Sequence, residues 1–188
     1  MYFVFLGTQQ NYARTASNAE LLTTPDDNGW LPLHHALHNN SPAGSIHLLV
    51  KGSPDTINVA DNNGLLPLQI ACESCMVSVV QYLTNRIEDS FSLRDGNDNY
   101  LLHYACRGGN IEVVMYLLES GHRRAVSEKN KDNMLPVHLF NQFVKERWRE
   151  GNDMKYVETI WHLLLADPET LQCSNWIQDK DIAPELIN

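Results

Sequence analysis

The strongest constraint on this chain is a segment that recurs. "NGWLPLHHAL" from Asn28, "NNGLLPLQIAC" from Asn62, "NDNYLLHYAC" from Asn97 and "KDNMLPVHLF" from Lys131 align without gaps. Their anchors Pro32, Pro67, Leu101 and Pro136 lie 35, 34 and 35 residues apart. A fixed period of that size means a stack of similar units, none of which buries its apolar face alone.

Within each unit the pattern predicts a turn and two helices. Asp, Asn and Gly residues form the turn, with Gly29 and Gly64 supplying permissive geometry and Asp98 and Asn133 in the same place later. Asn and Asp tolerate the left-handed region better than most residues. A short apolar helix follows, opened in three units by a Pro that pre-sets its first turn. The second helices are marked by Ile46, Leu49 and Val50, by Val80 and Leu83, by Val114, Leu117 and Leu118, and by Ile160, Leu163 and Leu164. These spacings give one apolar stripe per helix. Gly52 and Gly121 are expected just past two of them as left-handed caps. The linkers "TINVAD", "SFSLRD" and "AVSEKN" lead into the next turn, anchored by Ile57, Phe91 and Val126. In the fourth unit about eleven extra residues separate the helices, including "VKERWREGND" from Val144 to Asp153 with Trp148. They predict either a longer, solvated first helix or a loop for a partner.

Composition narrows the classes. The 188 residues are 43% apolar and 20% charged, ordinary for a folded protein. A net charge of -9 would repel a phosphate backbone, so nucleic acid is not expected as a partner. The opening "MYFVFLG" is far short of the roughly 20 apolar residues of a membrane span and lacks a basic flank. Neither a membrane segment nor secretion is expected. Four unevenly spaced cysteines, Cys72, Cys75, Cys106 and Cys173, do not make a disulfide framework and fit a reducing cytoplasmic or nuclear compartment.

The units resemble the ankyrin repeat, whose motif runs D-x-x-G-x-T-P-L-H-x-A-A and then G-x-x-E-V-V-x-x-L-L-x-x-G. "LLHYACRGGNIEVVMYLLESG" from Leu101 to Gly121 carries the likeness furthest. The resemblance implies an all-α solenoid of stacked helix-turn-helix units with β-turn or hairpin fingers. It implies an unassigned segment over 1–21, an array over 22–175 with units starting near 26, 61, 95 and 130, and a tail or decayed partial repeat over 176–188. The motif's Thr is Leu31, Leu66, Tyr100 and Leu135 here, so softer turns are expected. Its His is kept at His34, His103 and His138 but is Gln69 in the second unit, and Phe140 marks the fourth unit as atypical.

By the same resemblance, function lies in binding another protein on a concave face, without catalysis, cofactor or metal, as a monomer or part of a larger assembly. Carried over by position, that face includes Asp27, Asn28, Trp30, His38 and Asn39 in the first unit, and Asn62, Asn63, Leu65, Glu73 and Ser74 in the second. The third gives Gly96, Asn97, Asn99 and Arg107, and the fourth Lys131, Asp132, Met134, Gln142 and Phe143. Trp30 is open between partner contact and packing on its own turn. Because neither end carries a clearly polar cap, the chain also reads as a targeting module of a longer protein.

Two groups could carry other chemistry. His34 and His38 are spaced to hold zinc from one helical face, but "HHALH" lacks the glutamate of a protease motif. The resemblance gives His34 the family's hydrogen bonds to turn backbone and puts His38 on the exposed face; His35 has no assigned role. "CESC" at 72 to 75 has the C-x-x-C form without the βαβ context of a redox fold. Cys72 and Cys106 occupy equivalent places on helices expected about 8–10 Å apart, beyond the roughly 4.4–6.8 Å of a disulfide, and read as small buried fillers. A zinc site from Cys72, Cys75, Cys106 and a His would need distortion. "RGGN" from Arg107 is a turn between helices rather than a phosphate loop, and Met115 and Tyr116 read as packing.

Overall fold

The structure, a computed structural model, describes residues 19–147 and 154–166. Its helices are α1 (Ala19–Thr23), α2 (Pro32–His38), α3 (Ala43–Gly52), α4 (Pro67–Ser74), α5 (Val77–Thr84), α6 (Leu101–Arg107), α7 (Ile111–Glu119), α8 (Pro136–Arg147) and α9 (Met154–Ala166). Each unit is a pair, α2/α3 through α8/α9. The first helices α2, α4, α6 and α8 pack in chain order, the second helices stack more loosely behind them, and α1 closes against α2 and α3. Three 3-10 segments, Pro54–Asn58, Ser90–Ser92 and His122–Ser127, turn each pair toward the next unit.

The core follows the predicted stripes. Ile46, Leu49, Val50, Val80, Leu83, Val114, Leu117, Ile160, Leu163 and Leu164 are all buried, as are the linker anchors Ile57 and Val126. The Phe91 side chain lies outside the described residues. Because a unit's stripe is covered mainly by its neighbours, stability is a property of the stack. Gly52 differs from expectation: it lies in the last turn of α3, and Ser53 is the cap, because the helix runs on until Pro54 opens the 3-10 segment. Gly121 does take the left-handed conformation, at φ 100°. The fourth unit begins with a helix of 12 residues against 7 or 8 elsewhere, which is the longer first helix. Trp148 and the rest of 148–153 lie outside the described residues, as do Cys173 and the tail.

Each unit opens on a finger, a tight turn before its first helix. Among the described residues the only ladder contact is one antiparallel bridge, Arg94 with Tyr100, so the fingers are turns rather than extended hairpins. The left-handed residue is Gly29, Gly64, Asp98 or Asn133, at φ 79°, 77°, 61° and 60°. Gly29 is required twice, since a Cβ there would also stand 2.5 Å from the Asn62 side chain.

The turns close without the Thr hydroxyl, on the residue at the motif's own Asp position. Side-chain oxygens of Asp26, Asp61, Asp95 and Asn130 each accept the main-chain N–H groups two and four residues on, at 2.8–3.1 Å. The residue before each first helix has its N–H taken from the other side. His34 Nδ1, Gln69 Oε1, His103 Nδ1 and His138 Nδ1 accept it at 3.0, 2.7, 3.1 and 2.9 Å. The expected softness of the turns is thus offset by carboxylates and imidazoles.

An Nδ1 that accepts is unprotonated, so the neutral ring carries its proton on Nε2. In His103 that nitrogen is 3.2 Å from the Met134 carbonyl of the next finger. His34 Nε2 is buried without a hydrogen-bond partner among the described residues. Gln69 places its Nε2 in the same buried region without a partner among the described residues.

Burial disfavours the charged imidazole. It holds His103 and His122 down at about 4 and lowers His34 and His138 from the ordinary 6.5. A folded-state value below the unfolded one means the unfolded chain binds protons first as pH falls. Stability is therefore full above about pH 6.5 and is lost progressively toward pH 4. At pH 5 the term from His103 alone is on the order of 2 kcal/mol. Thermal denaturation is expected at a clearly lower Tm at pH 5 than at pH 7, with a shallower pH dependence in His103→Gln, which keeps the acceptor as Gln69 does. Equal slopes for the two proteins would disprove this role.

Candidate functional site

The finger tips and the first helices they introduce form the surface on which the sequence gathered its site residues. Asp27, Asn28, His38, Asn39, Asn62, Asn63, Gly96, Asn97, Arg107, Lys131, Asp132 and Gln142 are exposed there. Trp30, Leu65, Glu73, Ser74, Met134 and Phe143 are half-buried. Asn99 departs from expectation. It is 6% exposed, with its Nδ2 donating to Asp95 Oδ2 at 2.9 Å and its Oδ1 accepting from Asn130 Nδ2 at 2.8 Å. With both ends of its buried amide bonded inside the array, Asn99 belongs to the scaffold.

The finger acids explain several neighbours at once. One carboxylate oxygen of each holds the turn, and the second takes a partner from one of two directions. In the first unit, His35 Nε2 reaches Asp26 Oδ2 at 3.0 Å from the unit's own helix. In the third unit the residue in the same helical place, Tyr104, donates its hydroxyl to Asp95 Oδ2. The second unit has apolar Ile70 there, and Asp61 Oδ2 instead accepts from Trp30 Nε1 of the preceding finger at 2.9 Å. Leu139 fills that place in the fourth unit, and Asn130 turns back to Asn99. Trp30 therefore packs on its own unit, edge-on to His35 and His38 at ring distances of 5.0 and 5.2 Å, while its indole N–H clamps the next one. His35 is the clamp on Asp26. Hydrogen bonds from Leu65, Trp30 and Asn63 outweigh burial, the largest opposing effect, and hold Asp61 below the usual carboxylate range.

Other pairs were brought together across unit boundaries. Arg107 grips Glu73 with two hydrogen bonds, 2.7 and 3.1 Å, while lying 4.5 Å over the Tyr104 ring. Such a partly exposed pair contributes about 0–1 kcal/mol. Asn62 bonds the Asp27 carbonyl through its side chain and the Asn28 carbonyl through its N–H. Lys131 does the same to Gly96 and Asn97. Phe143 lies across Gly109, whose φ of 64° and contact with that ring leave no room for a Cβ, stacks with Phe140 and lies tilted against Tyr156.

The described thiols, Cys72, Cys75 and Cys106, are packing groups. Cys72 and Cys106 are fully buried, and Cys75 donates to the Leu37 carbonyl at 3.1 Å. Burial pushes Cys72 and Cys106 far up and Cys75 up to about 12, so none is a ready thiolate. Among the described residues no group of three or more His, Cys, Asp or Glu is placed to hold a metal ion, and no helix is long and apolar enough to cross a membrane.

Sequence reasoning passed over the finger residues Asp26, Asp61, Asp95 and Asn130 as mere unit starts. Their signal was present: an acid or amide recurring at 35, 34 and 35 residues, always four before a half-buried or buried residue.

Two family models match the chain, one described as ankyrin repeats in three copies over residues 10–90 and one as ankyrin repeats in many copies over 68–118. Together they cover 10–118, more than half of the chain, beginning ahead of Leu22 and ending before the fourth unit. No curated protein matches it.

Removing the Asp61 carboxylate takes the acceptor from two main-chain N–H groups and the Trp30 indole in a part-buried site. Asp61→Ala is expected to cost about 3 kcal/mol, and Asp61→Asn about 1 kcal/mol because it keeps the oxygen that holds the turn. Urea denaturation midpoints measure both, and equal losses for the two variants would show that the turn oxygen is not the larger contribution.

Proposed function

The chain belongs to the ankyrin repeat family, whose repeats are generally protein–protein interaction modules, and we infer from this that it binds another protein through its finger tips and first helices. The observation that carries the reading is a division of labour. The oxygens that close the turns, on exposed Asp26 and on the more buried Asp61, Asp95 and Asn130, are already occupied, leaving a row of exposed polar groups from Asp27 and Asn28 through Asn63 and Asn97 to Asp132 and Gln142. Backbone clamps hold that row still, and a preordered surface loses little conformational entropy on binding.

Side chains within it differ in what they offer. His38, Asn39, Asn63 and Gln142 are exposed on the helices and tips, whereas Glu73 and Arg107 must exchange each other for a partner. Leu65, Ser74, Met134 and Phe143 lie lower and contribute area rather than reach. We read no catalysis in the molecule, since His34, His103 and His138 hold helix starts, His35 holds Asp26 and the described thiols fill the core. Free buried thiols also support a reducing compartment, cytoplasmic or nuclear.

Photo-crosslinking residues placed singly at Asn63, Asn97 and Gln142 are expected to capture one common protein in cells. The same group at Gln81 or Glu119, on the second helices, is expected not to capture it. Capture of the same protein only from Gln81 and Glu119 would refute the finger-face assignment.

A further inference from the structure

The second helices carry a feature that the finger face does not use. Between α3 and α5 a groove of about 420 Å³ is lined by His47, Val50, Lys51, Pro54, Tyr82 and Arg86. It contains three basic side chains and no acid, in a chain of net charge -9. The ion pairs among the described residues join His35 to Asp26, Arg94 to Asp98 and Arg107 to Glu73, so none neutralises this cluster.

The cluster is also held in place. Arg86 lies 3.7 Å from the Tyr82 ring centroid and donates to the Tyr82 carbonyl at 3.2 Å, and the His47 ring centroid is 4.0 Å from the same ring. Stacking on an aromatic face restrains a guanidinium while leaving most of its N–H groups for another acceptor. The arrangement belongs to one boundary only. In the places of His47, Lys51 and Arg86, the next boundary has Gln81, Asn85 and Ser120, and the one after has Met115, Glu119 and Ala166. Repeat architecture therefore does not account for it.

We propose that this groove is a second binding site, separate from the finger face, which takes a short acidic peptide segment of a partner protein. Carboxylates pair with Lys51, Arg86 and His47, and apolar side chains of the peptide lie on Val50, Pro54 and Tyr82. A single inorganic anion fills only a small part of such a volume and has no use for its apolar floor, whereas an acidic segment with intervening apolar residues matches both. The charge complementarity makes association salt-dependent.

The test uses the whole chain and a fluorescein-labelled hexapeptide of four glutamates and two leucines, followed by fluorescence anisotropy at low and high salt. Saturable binding is expected, weakened about tenfold or more in the Lys51→Glu, Arg86→Glu double variant and also in His47→Ala, and unchanged in the finger variant Lys131→Glu. All altered side chains are exposed, and circular dichroism checks that each variant is folded. Absence of saturable binding, equal binding of a hexapeptide of four lysines and two leucines, or equal loss in Lys131→Glu would overturn the proposal. Displacement of the peptide by inorganic phosphate at stoichiometric concentration would overturn it in favour of a free-anion site.

Discussion

One side-chain oxygen per unit underlies the rest of the structure. Asp26, Asp61, Asp95 and Asn130 each accept two main-chain N–H groups that the turn would otherwise leave unpaired. A tip without them would have to solvate its backbone and could not approach its neighbour. With the turn closed, the first helix starts at a fixed place, and the imidazole or amide at its third residue takes the N–H of the residue just before the helix. Every later feature, from the buried stripes to the exposed row of Asn and Asp, is placed by that pair of contacts.

The boundaries between units are held by different chemistry. At the first, Trp30 reaches Asp61 and Asn62 reaches the Asp27 carbonyl. Leu65 has no donor to reach Asp95, so at the second boundary Asp95 turns to Tyr104 and Asn99 of its own unit. That boundary is tied instead by Glu73 with Arg107 and by Asn110 donating to the Cys75 carbonyl at 2.6 Å. The third returns to a direct link, Asn99 with Asn130. In a stack whose stability is a sum over neighbours, such differences set where it opens first.

Function follows from what this scaffolding leaves over. Finger chemistry consumes Asp26, His35, Trp30 and Asn99, so these apparently polar or aromatic surface groups are structural. The two surfaces proposed for partners are the outward row of tips on one side and, on the second helices, the basic groove beside Tyr82. The two surfaces differ in kind: one is polar, mixed in charge and repeated in every unit, and the other is cationic and confined to one boundary.

Much of the fold was legible because its signals are local. Helical stripes are written in residues three and four apart, and the left-handed positions in Gly29, Gly64, Asp98 and Asn133 follow from backbone sterics alone. The period itself dictated stacking. What the sequence could not settle were contacts between residues about 31 to 35 apart, Trp30 with Asp61, Asn99 with Asn130 and Glu73 with Arg107. Identity at such a position leaves open whether a side chain faces solvent or the next finger. That choice depends on what the neighbouring unit offers, a carboxylate oxygen for the Trp30 indole and an amide for Asn99. The sequence by itself determined the repeat, its turns and its core stripes, and only the tertiary structure decided which polar groups were spent between units, because hydrogen bonds across a boundary are made by geometry that no single unit contains.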